Sequence, residues 1–147
     1  MATINYPLFH DTDFSWFISS GPKGDIPKGI FVSPADVPAA SNPYNSGLAD
    51  YINGKWTDEN RTNNGDLEKV MGTLAAFIID HLDQFPDRGI FVRGNTEPKR
   101  RLYQRFVSNS LEEINKNYNI FGKEYQSDGF ELFVKGKIYE ALLVERK

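Results

Sequence analysis

The chain has 147 residues, 39% of them hydrophobic and 25% charged, the profile of one ordinary globular domain that hides roughly 68–70% of its surface on folding. Its net charge of −3 excludes a molecule that attracts polyanions as a whole, so any nucleic-acid binding has to come from a local patch. The absence of cysteine excludes disulfides, thiolate catalysis and Cys-ligated metals.

The first residues, Met1-Ala2-Thr3-Ile4-Asn5-Tyr6, carry no basic region followed by an apolar run, so no signal peptide is expected. The longest apolar run, Leu74 to Ile79, falls far short of the ~20 residues that span a bilayer. A cytoplasmic protein with no membrane contact is the expectation. His10-Asp11-Thr12-Asp13 places metal-type ligands in a row, but a terminal loop usually keeps such groups solvated. No metal and no cofactor are expected.

Phe14 to Ser20 is aromatic and β-branched and predicts a strand. Gly21-Pro22-Lys23-Gly24-Asp25 predicts a turn, and Ile26 to Val32 a second strand that begins at Pro27 or lies on an edge, because proline lacks a donor. Ser19 to Gly24 looks superficially like a phosphate loop, yet it joins two strands and lacks the helix that motif needs. After a Pro/Ala/Ser-rich loop over 33–43, Tyr44 to Ile52 predicts a third strand. Asn53-Gly54 marks a hairpin to a short partner at Lys55 to Thr57.

A helix is expected over about 66–85, capped by Asn64 or Asp66 and stopped by Pro86. Leu67, Val70, Met71, Leu74, Ala75, Ile78, Leu82 and Phe85 form its apolar stripe, with Glu68, Lys69, Thr73, Asp80 and Asp83 opposite. His81 falls in the stripe, where a structural role suits it. Gly89 to Arg93 predicts a strand, and a second helix covers about 98–117. Three strands follow, at Tyr118 to Phe121, Phe130 to Val134 and Lys137 to Val144, the last two joined by a Lys135-Gly136 hairpin turn. The order implies a single α+β domain over residues 1–147. Its two amphipathic helices would pack on one face of a mostly antiparallel mixed sheet.

Charge concentrates in one place. Arg93 to Arg105 holds five cations and one Glu, where a strand passes through Gly94-Asn95-Thr96 into the second helix. Strand, small-residue loop and helix start together make a recurrent anion site. The wheel turns Lys99 and Arg100 toward the otherwise apolar sector and Arg101 and Arg105 outward. Pro98 removes one amide donor and Glu97 places a negative charge at the cap, so side chains rather than amides would do any binding. The candidate set is Lys99, Arg100, Arg101, Arg105, Asn95 and Thr96, with Lys23 and Lys28 assisting if the first hairpin lies near. The bland alternative is a capped helix with a solvated basic end.

Three functions are open. A non-catalytic module would bind a phosphate-bearing partner, nucleic acid or nucleotide, through that edge. An enzyme acting on a nucleotide or phosphoester would use Asp66, or Asp50, as acid/base or metal ligand, with Arg100 clamping charge in a shared cleft. A protein-interaction or assembly component would use loop aromatics such as Tyr44, Tyr51, Trp56 and Tyr125. With two histidines and no cysteine, a histidine-based triad has little to work with.

Certain segments together resemble a family of uncharacterised bacterial proteins of about this length. They are Ser20-Gly21-Pro22-Lys23-Gly24 with Ile26 and Lys28, Tyr44-Asn45 with Asp50, Asn63-Asn64-Gly65-Asp66 with Lys69-Val70 and Thr73, Gly94-Asn95-Thr96 with Arg101-Leu102-Tyr103, Glu113-Ile114, Phe121-Gly122 and the Tyr139 to Lys147 strand. The resemblance implies one recurrent unit and no activity. The family pattern usually has Arg in place of Lys99 and no proline at position 98. If the family grips a phosphate bidentately there, Lys99 is a weaker substitute.

Overall fold

A computed structural model describes residues 5–10, 14–37, 40, 42–57, 64–93 and 97–147. The fold is α+β, and the described residues form two helices and nine strands in a mostly antiparallel mixed sheet. The strands are β1 (Phe9–His10), β2 (Phe14–Gly21), β3 (Gly24–Pro34), β4 (Pro43–Ile52), β5 (Lys55–Thr57), β6 (Gly89–Arg93), β7 (Tyr118–Lys123), β8 (Glu131–Leu132) and β9 (Ala141–Arg146). The helices are α1 (Leu67–Gln84) and α2 (Glu97–Ile114). Sheet order is β1-β2-β3-β4-β6-β9-β7-β8, with β5 beside β4. The chain forms two compact units, one of Ala2–Ser33 with Ser46–Asp80 and one of Pro34–Asn45 with His81–Lys147.

In the amino-terminal unit β2 and β3 form an antiparallel hairpin from Phe14↔Phe31 to Gly21↔Gly24. Pro27 lies inside β3 opposite Ile18, and β3 runs between β2 and β4, so this proline neither starts its strand nor marks an edge. One missing donor is tolerated because β3 is eleven residues long and its other residues carry the pairing. The Asn53-Gly54 turn is as expected, with both residues at positive φ (53° and 83°) and Ile52 opposite Lys55. Alternation sends Ser15, Phe17 and Ser19 of β2 to a buried face. The other face carries aromatics: Phe9 stacks on Trp16, Phe14 on Phe31, and Trp56 meets Phe14, Phe31 and Tyr51 edge-on.

Helix α1 buries Val70, Met71, Leu74, Phe77, Ile78 and Leu82; of the expected stripe Leu67 is exposed at the helix start, Ala75 is half-buried and Phe85 lies just past the helix end. Thr73, expected on the polar face, is fully buried. Its hydroxyl donates to the Lys69 carbonyl at 2.7 Å and accepts the Tyr6 amide at 2.8 Å, so burial leaves no polar atom of it unsatisfied.

In the carboxy-terminal unit β9 runs antiparallel between β6 and β7 and buries Ala141, Leu142 and Leu143. Val107 of α2, with Tyr103, Leu111 and Ile114, packs on Ile120, Phe133, Tyr139, Leu142 and Val144. The expected hairpin around Lys135-Gly136 is corrected here. A turn forms, but β8 and β9 do not pair; each pairs with β7 instead. The reason is Tyr139, which leaves the strand path and enters the core at 1% exposure. A Cβ on Gly122 would stand 2.4 Å from its ring, so only glycine lets the ring lie there. Its hydroxyl donates to Glu131 at 2.9 Å and accepts the Val134 amide at 3.1 Å, which holds the intervening loop in place of a ladder.

Candidate functional site

The basic edge is carried by the first turns of α2. Lys99 and Arg100 are half-buried, whereas Arg101 and Arg105 are exposed, the division that the helical wheel implies. Glu97 and Arg101 form an exposed i, i+4 pair at 2.6 Å, worth a few tenths of a kcal/mol by the general behaviour of such pairs. The Arg100 guanidinium lies 5.3 Å from the ring centre of Tyr125. Asn95 and Thr96 lie outside the described residues.

A residue the sequence does not single out, Glu140, organises the surface beside it. Its carboxylate takes Lys123 at 2.7 Å and is also paired with Arg93. The Lys123 hydrogen bond, reinforced by the Arg93 charge, holds its carboxyl below the usual range. Glu140 thus brings cations of β6 and β7 together at the end of the sheet. Gln104 ties α2 to the same edge: its amide donates to the Tyr139 carbonyl at 2.8 Å and accepts the Tyr139 amide at 3.2 Å. The recess lined by Arg100, Tyr103, Gln104, Tyr139 and Glu140 measures about 10 Å³, room for about one water. The recess is too small to enclose anything larger than a water.

The other candidates belong to the amino-terminal unit. Lys23 is exposed, with its amide donating to Asn64 Oδ1 at 2.8 Å. Lys28 points inward, paired at 2.7 Å with Asp50, both side chains at 5% exposure or less. This commits Lys28 and Asp50 to each other rather than to a surface ligand. Asp66 Oδ2 accepts the Tyr6 hydroxyl at 2.6 Å and the Ser19 hydroxyl at 2.5 Å. Burial, with Asp66 beside it, pushes the Tyr6 phenol up from its ordinary pKa. Asn64, 1% exposed, donates to the Gly24 carbonyl at 2.8 Å and to Ser19. A Cβ on Gly21 would fall 1.9 Å from the Asn64 carbonyl oxygen, so the two glycine loops close directly on each other. Gly65 adopts φ +74°, as its place before the helix requires. Asp66 and Lys23 thus share one unit, while Arg100 belongs to the other.

His81 is half-buried on α1. His81 Nε2 lies 3.2 Å from Arg88 Nη1, and burial, with the Arg88 charge adding to it, lowers its pKa. Among the described residues no three His, Cys, Asp or Glu side chains are grouped to hold a metal ion, and no helix is long and apolar enough to cross a membrane. Asp11 to Asp13 lie outside the described residues.

A family model described as a family of unknown function, DUF6934, matches residues 3–147. The chain belongs to this family. Comparison with curated proteins and with solved structures finds no match. Membership extends over both units and assigns neither an activity.

Proposed function

We propose that this family member is a non-catalytic binding module for a phosphate-bearing partner, nucleic acid or nucleotide, engaged by the side chains of Lys99, Arg100, Arg101 and Arg105. One observation carries this reading. Two cations, Lys99 and Arg100, occupy the opening turn of α2 with Arg101 directly after them, where positive charge opposes the helix dipole, and Glu97 is the only acid in that turn. Folding alone favours the reverse arrangement, and a bound phosphate would reward the one present. The test is oligonucleotide binding across a salt series, in the wild type and in the Lys99→Ala/Arg100→Ala variant. Affinity should fall steeply with salt and fall again in the variant; a salt-independent signal would sink the proposal. We further propose that the module works in the bacterial cytoplasm, as the resemblance of its segments to bacterial proteins suggests.

The catalytic reading has less support, because Asp66 Oδ2 and Asp50 are already engaged by neighbouring side chains. A protein-partner reading draws on the outer aromatic face of β1 to β5, where Phe9 is 48% and Tyr51 42% exposed. It predicts a concentration-dependent mass above 16.7 kDa, or a co-purifying protein, in light scattering after size exclusion. A monomer at every concentration with nothing attached would count against it.

A further inference from the structure

The carboxy-terminal unit sets an aromatic ring among its cations. Tyr125, in the loop after β7, is 48% exposed and has the Arg100 guanidinium against its ring. Around Arg100 the surface gathers cations from three elements. Glu140, which lines the recess with Arg100, binds Arg93 of β6 and Lys123 of β7, while Lys99, Arg101 and Arg105 stand along α2. Six cations therefore meet two carboxylates, Glu97 and Glu140. Nearby, Glu124 of the loop after β7 and Glu131 of β8 are both engaged by Lys137 at 2.7 Å, while Asp128 of that loop is exposed.

A bare phosphate needs only the cations. A mononucleotide that binds tightly needs an enclosing pocket, and the recess beside Arg100 measures only about 10 Å³. An intact duplex keeps its bases stacked on one another and offers no free base face to a ring. Cations spread over a surface, with an exposed ring interleaved, instead fit a single strand, whose phosphates follow the charge while an unstacked base lies on the aromatic face.

Resting on the phosphate-binding reading above, we infer that the partner is single-stranded nucleic acid, with Tyr125 as a base-stacking platform beside Arg100. In this arrangement Arg100 both meets a phosphate and holds the Tyr125 ring in place.

The test uses the full chain and three fluorescent probes: an oligothymidylate of about 12 nucleotides, a duplex of the same length, and labelled ATP. Anisotropy is read for the wild type, Tyr125→Ala, Tyr125→Phe and Arg101→Ala/Arg105→Ala, with far-ultraviolet circular dichroism to confirm folding. The single strand should bind at least about tenfold tighter than the duplex, and ATP weakly. Tyr125→Ala should weaken single-strand binding about five- to a hundredfold, the range of one stacked base, and leave the duplex unchanged, while Tyr125→Phe binds as wild type. Equal binding of strand and duplex, or an unaffected Tyr125→Ala variant, overturns the inference. If Arg101→Ala/Arg105→Ala then still weakens both polymers, the phosphate-binding reading survives without it. If no probe binds with salt dependence, both fail together.

Discussion

Lys28 and Asp50 show most plainly what a residue costs when its partner is taken away. Both are buried and 2.7 Å apart, on β3 and β4, and a lone charge in that place has no water to solvate it. Lys28→Met alone should therefore destabilise the chain by about 3–5 kcal/mol, whereas Lys28→Met with Asp50→Leu should recover most of that loss. Urea denaturation of the three proteins checks it; equal losses in the single and double variants would show that the pair is not the source. The sequence marks both residues as polar and cannot say they meet, since their contact joins two strands. The same holds for Asn64 and Thr73. Each has a polar side chain in a position that periodicity reads as a cap or an outward face, and each is buried by partners on distant segments, Ser19 and Tyr6. Glu140 was invisible for that reason as well, because Arg93 and Lys123 reach it from two other strands. What was legible at this scale was local: the burial of Lys99 and Arg100 against the exposure of Arg101 and Arg105 follows from a 100° helical step alone.

Elements that depend on neighbouring residues are legible in the sequence, although α2, expected to about 117, ends at Ile114 and the last strand, expected from Lys137, begins at Ala141. α1 spans Leu67–Gln84 because its stripe repeats over five turns between Asp66 and Pro86, and β4 and β5 meet at a turn whose two residues favour positive φ. Pairing was harder. A Lys-Gly turn between two apolar runs suggests a hairpin, but β7 takes β8 on one side and β9 on the other. No local signal reports that Tyr139 swings under Gly122. That contact yields an element-scale prediction. Gly122→Ala places a methyl 2.4 Å from the buried ring, so Tyr139 must move and β7, β8 and the loop before β9 loosen with it. The expected loss is about 1–3 kcal/mol, as for other overpacked cores, with hydrogen exchange rising first in β8 and around Val134. Unchanged exchange there would mean the ring has room the geometry denies it.

At the scale of the molecule, the α+β class was legible because the order of strand and helix patterns restricts the layers available to one chain of this size. Function was less so. A net charge of −3 conceals a patch whose cations come from β6, β7 and α2, and only the α2 part is contiguous in sequence. The overall charge also sharpens the test, since an acidic protein gains little from non-specific attraction and any strong salt dependence must come from the patch. The most direct measurement is the dependence of affinity for a single-stranded oligonucleotide on salt concentration, in the wild type and in the Lys99→Ala/Arg100→Ala variant. With four α2 cations on phosphates, log affinity should fall against log salt with a slope of roughly −3, reduced in magnitude by about 1.4 in the variant. A slope near zero, or a variant that follows the wild type at every salt concentration, would contradict it.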